Sequence, residues 1–183
     1  KQKQAIQECD AIIARNDKTH FTNFIAAQAG VLPEYDITEY NNKWQTQRRL
    51  YLINGVTEAI AKETDSKIAE YVQEYKQGKT NGLYNDAEVS EAFLKAVQYL
   101  SSKKAAIQLL DKAIKEKNEP QLEQAIEAAK PYRSLDPFVK NATTLLADIR
   151  ERKHIQGIIA KAIESNEIAA IESALEEAKK STA

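Results

Sequence analysis

The stretch Ile107–Lys130, IQLLDKAIKEKNEPQLEQAIEAAK, decides the fold. Ile107, Leu110, Ala113 and Ile114 keep the spacing of one helix face, and Leu122 and Ile126 keep it again further on. Between them Asn118-Glu119-Pro120 forms a polar break. Pro120 fits the first turn of a second helix, where its missing N–H costs little. The stretch therefore reads as two short amphipathic helices joined by a tight turn.

The chain copies this unit. Aligned on Ile114, the copies are Ile6–Ala29 (IQECDAIIARNDKTHFTNFIAAQA), Ile53–Lys76 (INGVTEAIAKETDSKIAEYVQEYK) and Gln156–Lys179 (QGIIAKAIESNEIAAIESALEEAK). One apolar column holds Ile13, Ile60, Ile114 and Ile163; a second holds Phe21, Ile68, Leu122 and Ile171; a third holds Ile25, Val72, Ile126 and Leu175. The break is polar every time: Asn16-Asp17, Thr64-Asp65, Asn118-Glu119 and Ser165-Asn166. Spacings of 47, 54 and 49 residues between the aligned isoleucines fall in the range of stacked helical repeats.

Working outward, the segments between the copies are helical too. Tyr40, Trp44, Tyr51, Leu52, Val56, Ala59 and Ile60 carry one apolar pattern from a capping signal at Asp36 to about Glu63. A second capping signal, Asn85-Asp86-Ala87-Glu88, opens a run free of Gly and Pro up to Asn118, and Asp136-Pro137 opens a third long helix. A helix of about 30 residues spans about 45 Å. Gly30 ends one short helix, Pro131 another, and Gly78–Asn85 is the clearest loop. The expected architecture is all-α: an extended array of about four helical repeats, in which long helices shared between adjacent units alternate with short antiparallel ones. The units cover about residues 4–36, 37–85, 86–136 and 137–183 of one array. The chain begins at Lys1 without Met, and we expect it to be a piece of a longer polypeptide.

Composition narrows the function. Of 183 residues, 29% are charged, yet the net charge is −1, which removes a bulk nucleic-acid or anionic-membrane footprint. A lone Cys9 excludes an internal disulfide framework and fits a reducing, cytoplasmic setting. Cys9 shares a column with Leu110 and Ile159, which reads as a buried structural thiol. The two histidines, His20 and His154, lie in different units, so no metal-ligand spacing exists. Gly78-Lys79-Thr80 lacks the preceding glycine and strand of a phosphate loop. The glutamate pairs sit on solvated helix faces, and no acid/base constellation forms. Neither catalytic residues nor cofactors are expected.

Candidate contact residues are of a different kind. Trp44 with Tyr40 and Tyr51 lines a stripe that reads as core, and Gln47-Arg48-Arg49 beside it reads as a small exposed basic cluster. Tyr75 and Tyr84 belong to a tyrosine-rich patch of the sort found at interfaces. Ile107-Gln108, Lys112-Ala113 and Lys117 match the spacing of a calmodulin-binding IQ motif, with Lys for both Arg and Ala for Gly. Packing explains the same residues, since Ile6-Gln7 repeats Ile107-Gln108.

The units resemble the roughly 50-residue helical repeats of IQGAP cytoskeletal scaffold proteins. The likeness is carried by Ala11-Ile12-Ile13-Ala14-Arg15-Asn16-Asp17, then Val31-Leu32-Pro33, then Tyr40 and Trp44. Similar helical repeats also serve as spacers in cytoskeletal motor proteins. Unit three departs: Pro131–Pro137 replaces the expected loop and Phe138-Val139 the tyrosine. The resemblance implies a non-catalytic scaffold or spacer with protein partners, cytoskeletal or calmodulin-like. No apolar run approaches 18 residues, so no membrane insertion is expected.

Overall fold

A computed structural model of the chain describes residues 2–30, 32–80 and 85–181. Regular structure among these residues is helical throughout: α1 (Gln2–Ala14), α2 (Lys18–Gln28), α3 (Glu34–Ala61), α4 (Asp65–Thr80), α5 (Ala87–Glu116), α6 (Glu119–Ala129), α7 (Asp136–Ser165) and α8 (Ile168–Ser181). A short 3₁₀ turn, Arg133–Leu135, precedes α7. The chain divides into two compact units, Lys1–Leu100 and Ser101–Ala183, with the division inside α5.

The four breaks share one backbone geometry. Asn16, Glu63, Lys117 and Asn166 have φ of 55°, 52°, 51° and 53°, and they are the non-glycine left-handed residues among those described. Each stands three positions after its aligned isoleucine. A left-handed residue turns the chain out of the helix while its N–H still bonds backward: Asn16 to the Ile13 carbonyl at 3.0 Å, Glu63 to Ile60 at 3.0 Å, Asn166 to Ile163 at 3.1 Å, Lys117 to Ala113 at 2.9 Å. The following residue starts the next helix. The carbonyls of Asp17, Thr64, Asn118 and Glu167 accept from the N–H groups of Phe21, Ile68, Leu122 and Ile171 at 2.9, 3.0, 2.9 and 3.1 Å. Where the side chain suits, it caps as well: Asp17 accepts from the His20 N–H at 3.0 Å and Asn118 from the Gln121 N–H at 3.2 Å.

In the first compact unit two apolar clusters form. Ala5, Cys9, Ile12 and Ile13 of α1 meet Phe21 and Phe24 of α2 and Tyr40 at the start of α3. Trp44 stacks on Phe21 with ring centres 4.6 Å apart. The far half of α3 gives Leu52, Val56 and Ala59 to a second cluster with Ile68, Val72 and Tyr75 of α4 and Val89, Phe93 and Ala96 of α5. One long helix thus serves two cores, with the buried Arg48 standing between Trp44 of the first and Leu52 of the second. In the second compact unit α6 and α8 both pack on α7. Leu122, Ala125, Ile126 and Ala129 of α6 are buried, as are Ala142, Leu146 and Ala162 of α7. Each large aliphatic so buried contributes about 1.5–3 kcal/mol.

Two boundaries differ from expectation. α3 starts at Glu34, with Pro33 in the capping position and no side-chain cap, so Asp36 lies inside the first turn. Pro33 fixes its own φ at −56° and sets the helix entry without a capping side chain. α4 runs on through Gly78 to Thr80, where the loop was expected to start, and residues 81–84 of that stretch lie outside the described residues. Gly78 is buried there, and helix continuity outweighs its poor propensity.

Candidate interaction surface

The polar residues singled out by sequence do not converge on one site. Arg48, expected to be exposed, is buried. Its guanidinium pairs with Glu74 of α4 and lies 4.9 Å from the centre of the Tyr51 ring. A charged group so placed needs both a counter-ion and a polarisable face, and α4 supplies the first. Arg49 reaches Asp86 at 2.6 Å. Asp86 also caps α5, accepting from the N–H groups of Glu88 at 2.9 Å and Val89 at 3.2 Å. The Val89 N–H and its other donors hold the Asp86 carboxyl below the usual aspartate range. The pair Arg48-Arg49 is thus a clamp between helices of the first compact unit rather than an open basic cluster.

Beside the clamp, the Tyr71 hydroxyl stands 3.5 Å from that of Tyr51. That contact, with burial, pushes the Tyr71 phenol up to about 12. The Tyr71 ring crosses α3 at Gly55, where an added Cβ would lie 2.5 Å from Cζ. Gly55 is therefore a crossing point, which explains a glycine inside a 28-residue helix. A cleft of about 250 Å³ opens there, lined by Gly55, Glu58, Ala59, Lys62, Thr64, Lys67 and Tyr71. Lys62 is tied to Glu58 at 2.5 Å.

Trp44 is half-buried on Phe21. Tyr75 is buried, stacked on Phe93 at 4.2 Å with its hydroxyl 2.7 Å from Ser90 Oγ. Both residues spend their rings inside the first compact unit. Tyr84 lies outside the described residues. On α5, Ile107 and Gln108 are exposed, and so are Lys112 and Lys117. Lys112 lies 3.9 Å from Glu116. Lys117 is the left-handed residue that ends the helix, so the motif-like spacing runs off the end of α5.

Cys9 is fully buried, and burial pushes its thiol up to about 11. Among the described residues no group of three or more His, Cys, Asp or Glu is placed to hold a metal ion, and no helix is long and apolar enough to cross a membrane.

Sequence reasoning missed two features. Glu119, at the start of α6, accepts from Arg150 at 2.8 Å and Lys153 at 2.7 Å, tying α6 to α7, and these cations hold its carboxyl below the usual glutamate range. The second is the exposure of three large aliphatics of the fourth copy, Ile163 of α7 and Ile168 and Leu175 of α8. Its signal was present in the alignment. Ile168 occupies the position that holds Lys18, Asp65 and Glu119 in the other copies, an aliphatic in a charged column.

No protein-family model matches the chain, and no curated protein or solved structure matches it.

Proposed function

We propose that the chain is a helical-repeat segment that acts as a non-catalytic spacer or scaffold and works through protein–protein contacts. The observation that supports this reading is the recurrence of one left-handed break, at Asn16, Glu63, Lys117 and Asn166, at a fixed register in all four copies. A chain that repeats its turn geometry and keeps long helices common to neighbouring copies spends its sequence on register, not on a reaction centre. Its polar clusters are used to tie helices together: Arg48 with Glu74, Arg49 with Asp86, Arg150 and Lys153 with Glu119. In this reading long and short helices alternate in an extended array of about four units. The assignment to a cytoplasmic, cytoskeletal or motor-associated parent rests on the resemblance to IQGAP repeats.

Small-angle X-ray scattering across concentrations tests the array. A compact domain of this size has a radius of gyration of about 16 Å. The proposal expects a clearly larger value at infinite dilution; a value near 16 Å would sink it.

A second reading is favoured by the exposure of Ile107 and of Leu109 on α5, flanked by lysines. There the stretch Ile107–Lys117 is a binding segment for a calmodulin-like light chain or partner helix. Titrating the intact chain with calcium-free and calcium-loaded calmodulin decides it; no binding in either state removes it.

A further inference from the structure

The geometry points to the Ile163–Leu175 face as a docking surface for one kind of partner: an amphipathic helix like those that cover the same face in the other copies. This rests on the repeat reading above. In copy one, Ile13 lies in a cluster closed by Tyr40 at the start of α3, with Ile37 and Trp44 packed alongside. In copy two, Val72 is closed by Val89 and Phe93 at the start of α5. In copy three, Ile126 is 9% exposed, with α7 packed on its helix. In copy four the same columns hold Ile163 at 62% and Leu175 at 50% exposure, while Ile168 is 76% exposed.

Copy four is otherwise built like the rest. Ala162 and Ala174 are buried where α7 meets α8. Ile163 and Leu175 each sit one residue further on, about 100° round their helices, on the side that the other copies cover. Three large aliphatics there do nothing for helix propensity that lysine or glutamate would not do as well. Ile168 replaces a charged residue of the other copies, so this face carries more apolar surface than its equivalents, not less.

The covering helices define the partner. Two of them present apolar residues over two turns with an aromatic among them, Ile37, Tyr40 and Trp44 or Val89, Phe93 and Ala96, and the start of α7 presents Ala142 and Leu146. In copy three Glu123 also pairs with Arg150 of the covering helix, and Glu172 stands in the register of Glu123. The partner is therefore a helix with apolar residues at i, i+3 or i+4, and i+7, and an arginine or lysine on its flank.

The probe is a synthetic peptide of residues 136–152, the segment that covers copy three and carries Arg150. It is titrated into the full 183-residue chain, followed by methyl NMR and fluorescence anisotropy. Saturable shifts are expected at Ile163, Ile168 and Leu175. Leu175→Glu should weaken binding about tenfold or more, while Leu94→Glu, at an exposed leucine of α5, leaves it unchanged. Absence of saturable shifts, or binding indifferent to Leu175→Glu, overturns the proposal. Self-association of the chain alone that Leu175→Glu abolishes assigns the face to a second copy and overturns it too. Carbon shifts in the same samples report φ at Asn16, Glu63, Lys117 and Asn166. Left-handed values without peptide binding defeat the docking surface alone; loss of those values defeats the repeat reading itself.

Discussion

Copies three and four agree closely in sequence and differ in environment. LEQAIEAAK at Leu122–Lys130 and IESALEEAK at Ile171–Lys179 agree in pattern, and both helices pack on α7. Yet Ile126 is buried and Leu175 is half exposed. Pattern fixes which residues face across a helix, but burial also requires something on the other side. The hydrophobic contribution of a residue belongs to the pair of surfaces, not to the residue.

The strongest way to break this comparison is truncation. Leu122→Ala and Ile126→Ala should each cost about 2–4 kcal/mol in denaturant unfolding, as for cavity-forming core substitutions. Leu175→Ala should stay within about 0.5 kcal/mol. Equal losses in the two copies would mean that the fourth face is covered in solution.

The clamp of the first compact unit comes next. Arg48→Ala leaves Glu74 without its partner and bares one face of Tyr51, and a loss of about 1–3 kcal/mol is expected. The exposed Arg150 should cost clearly less when truncated, since water replaces its contacts to Glu119 and Glu123. Paired thermal melts of the two variants check the ranking.

A smaller effect has the opposite sign. Glu63→Gly and Lys117→Gly relieve a left-handed conformation that a Cβ disfavours, and each should stabilise by about 0.5–1 kcal/mol. Asn16→Gly and Asn166→Gly should gain less, because asparagine already tolerates that region. Uniform gains at all four sites would show that residue type at the break is irrelevant.

Acid titration gives the mildest signal. The carboxyls of Asp17, Asp86 and Glu119 are held below their ordinary range, by the His20 N–H, the Val89 N–H and the Lys153 ammonium in turn. A depressed folded-state value means stability that is complete above the ordinary carboxylate range and lost as pH falls through the depressed one. Melting temperature should therefore fall below about pH 4. The fall should be shallower in Asp86→Asn and Glu119→Gln than in the parent.

What could be read from sequence was what is local. Asn16-Asp17 and Asn118-Glu119 announce a break because capping is settled within four residues, and the structure puts the helix ends there. Arg48 was misread because its partner Glu74 lies 26 residues away, and an arginine shows nothing of that in its neighbours. Gly55 owes its place to the Tyr71 ring, 16 residues further along the chain, and nothing beside it in sequence shows that. The open fourth face was hidden by the very likeness of the copies, and only Ile168 in a charged column marked it.

The most direct test of the central claim, three covered faces and one open, is cysteine accessibility along the third apolar column. Val72→Cys, Ile126→Cys and Leu175→Cys are introduced singly, and thiol labelling rates are compared in the folded chain. Native Cys9 serves as the internal control, since its buried, poorly ionised thiol should react slowly. Slow labelling at positions 72 and 126 with labelling near the free-thiol rate at 175 is the predicted result. Equal protection at 126 and 175, or equal exposure, would contradict it.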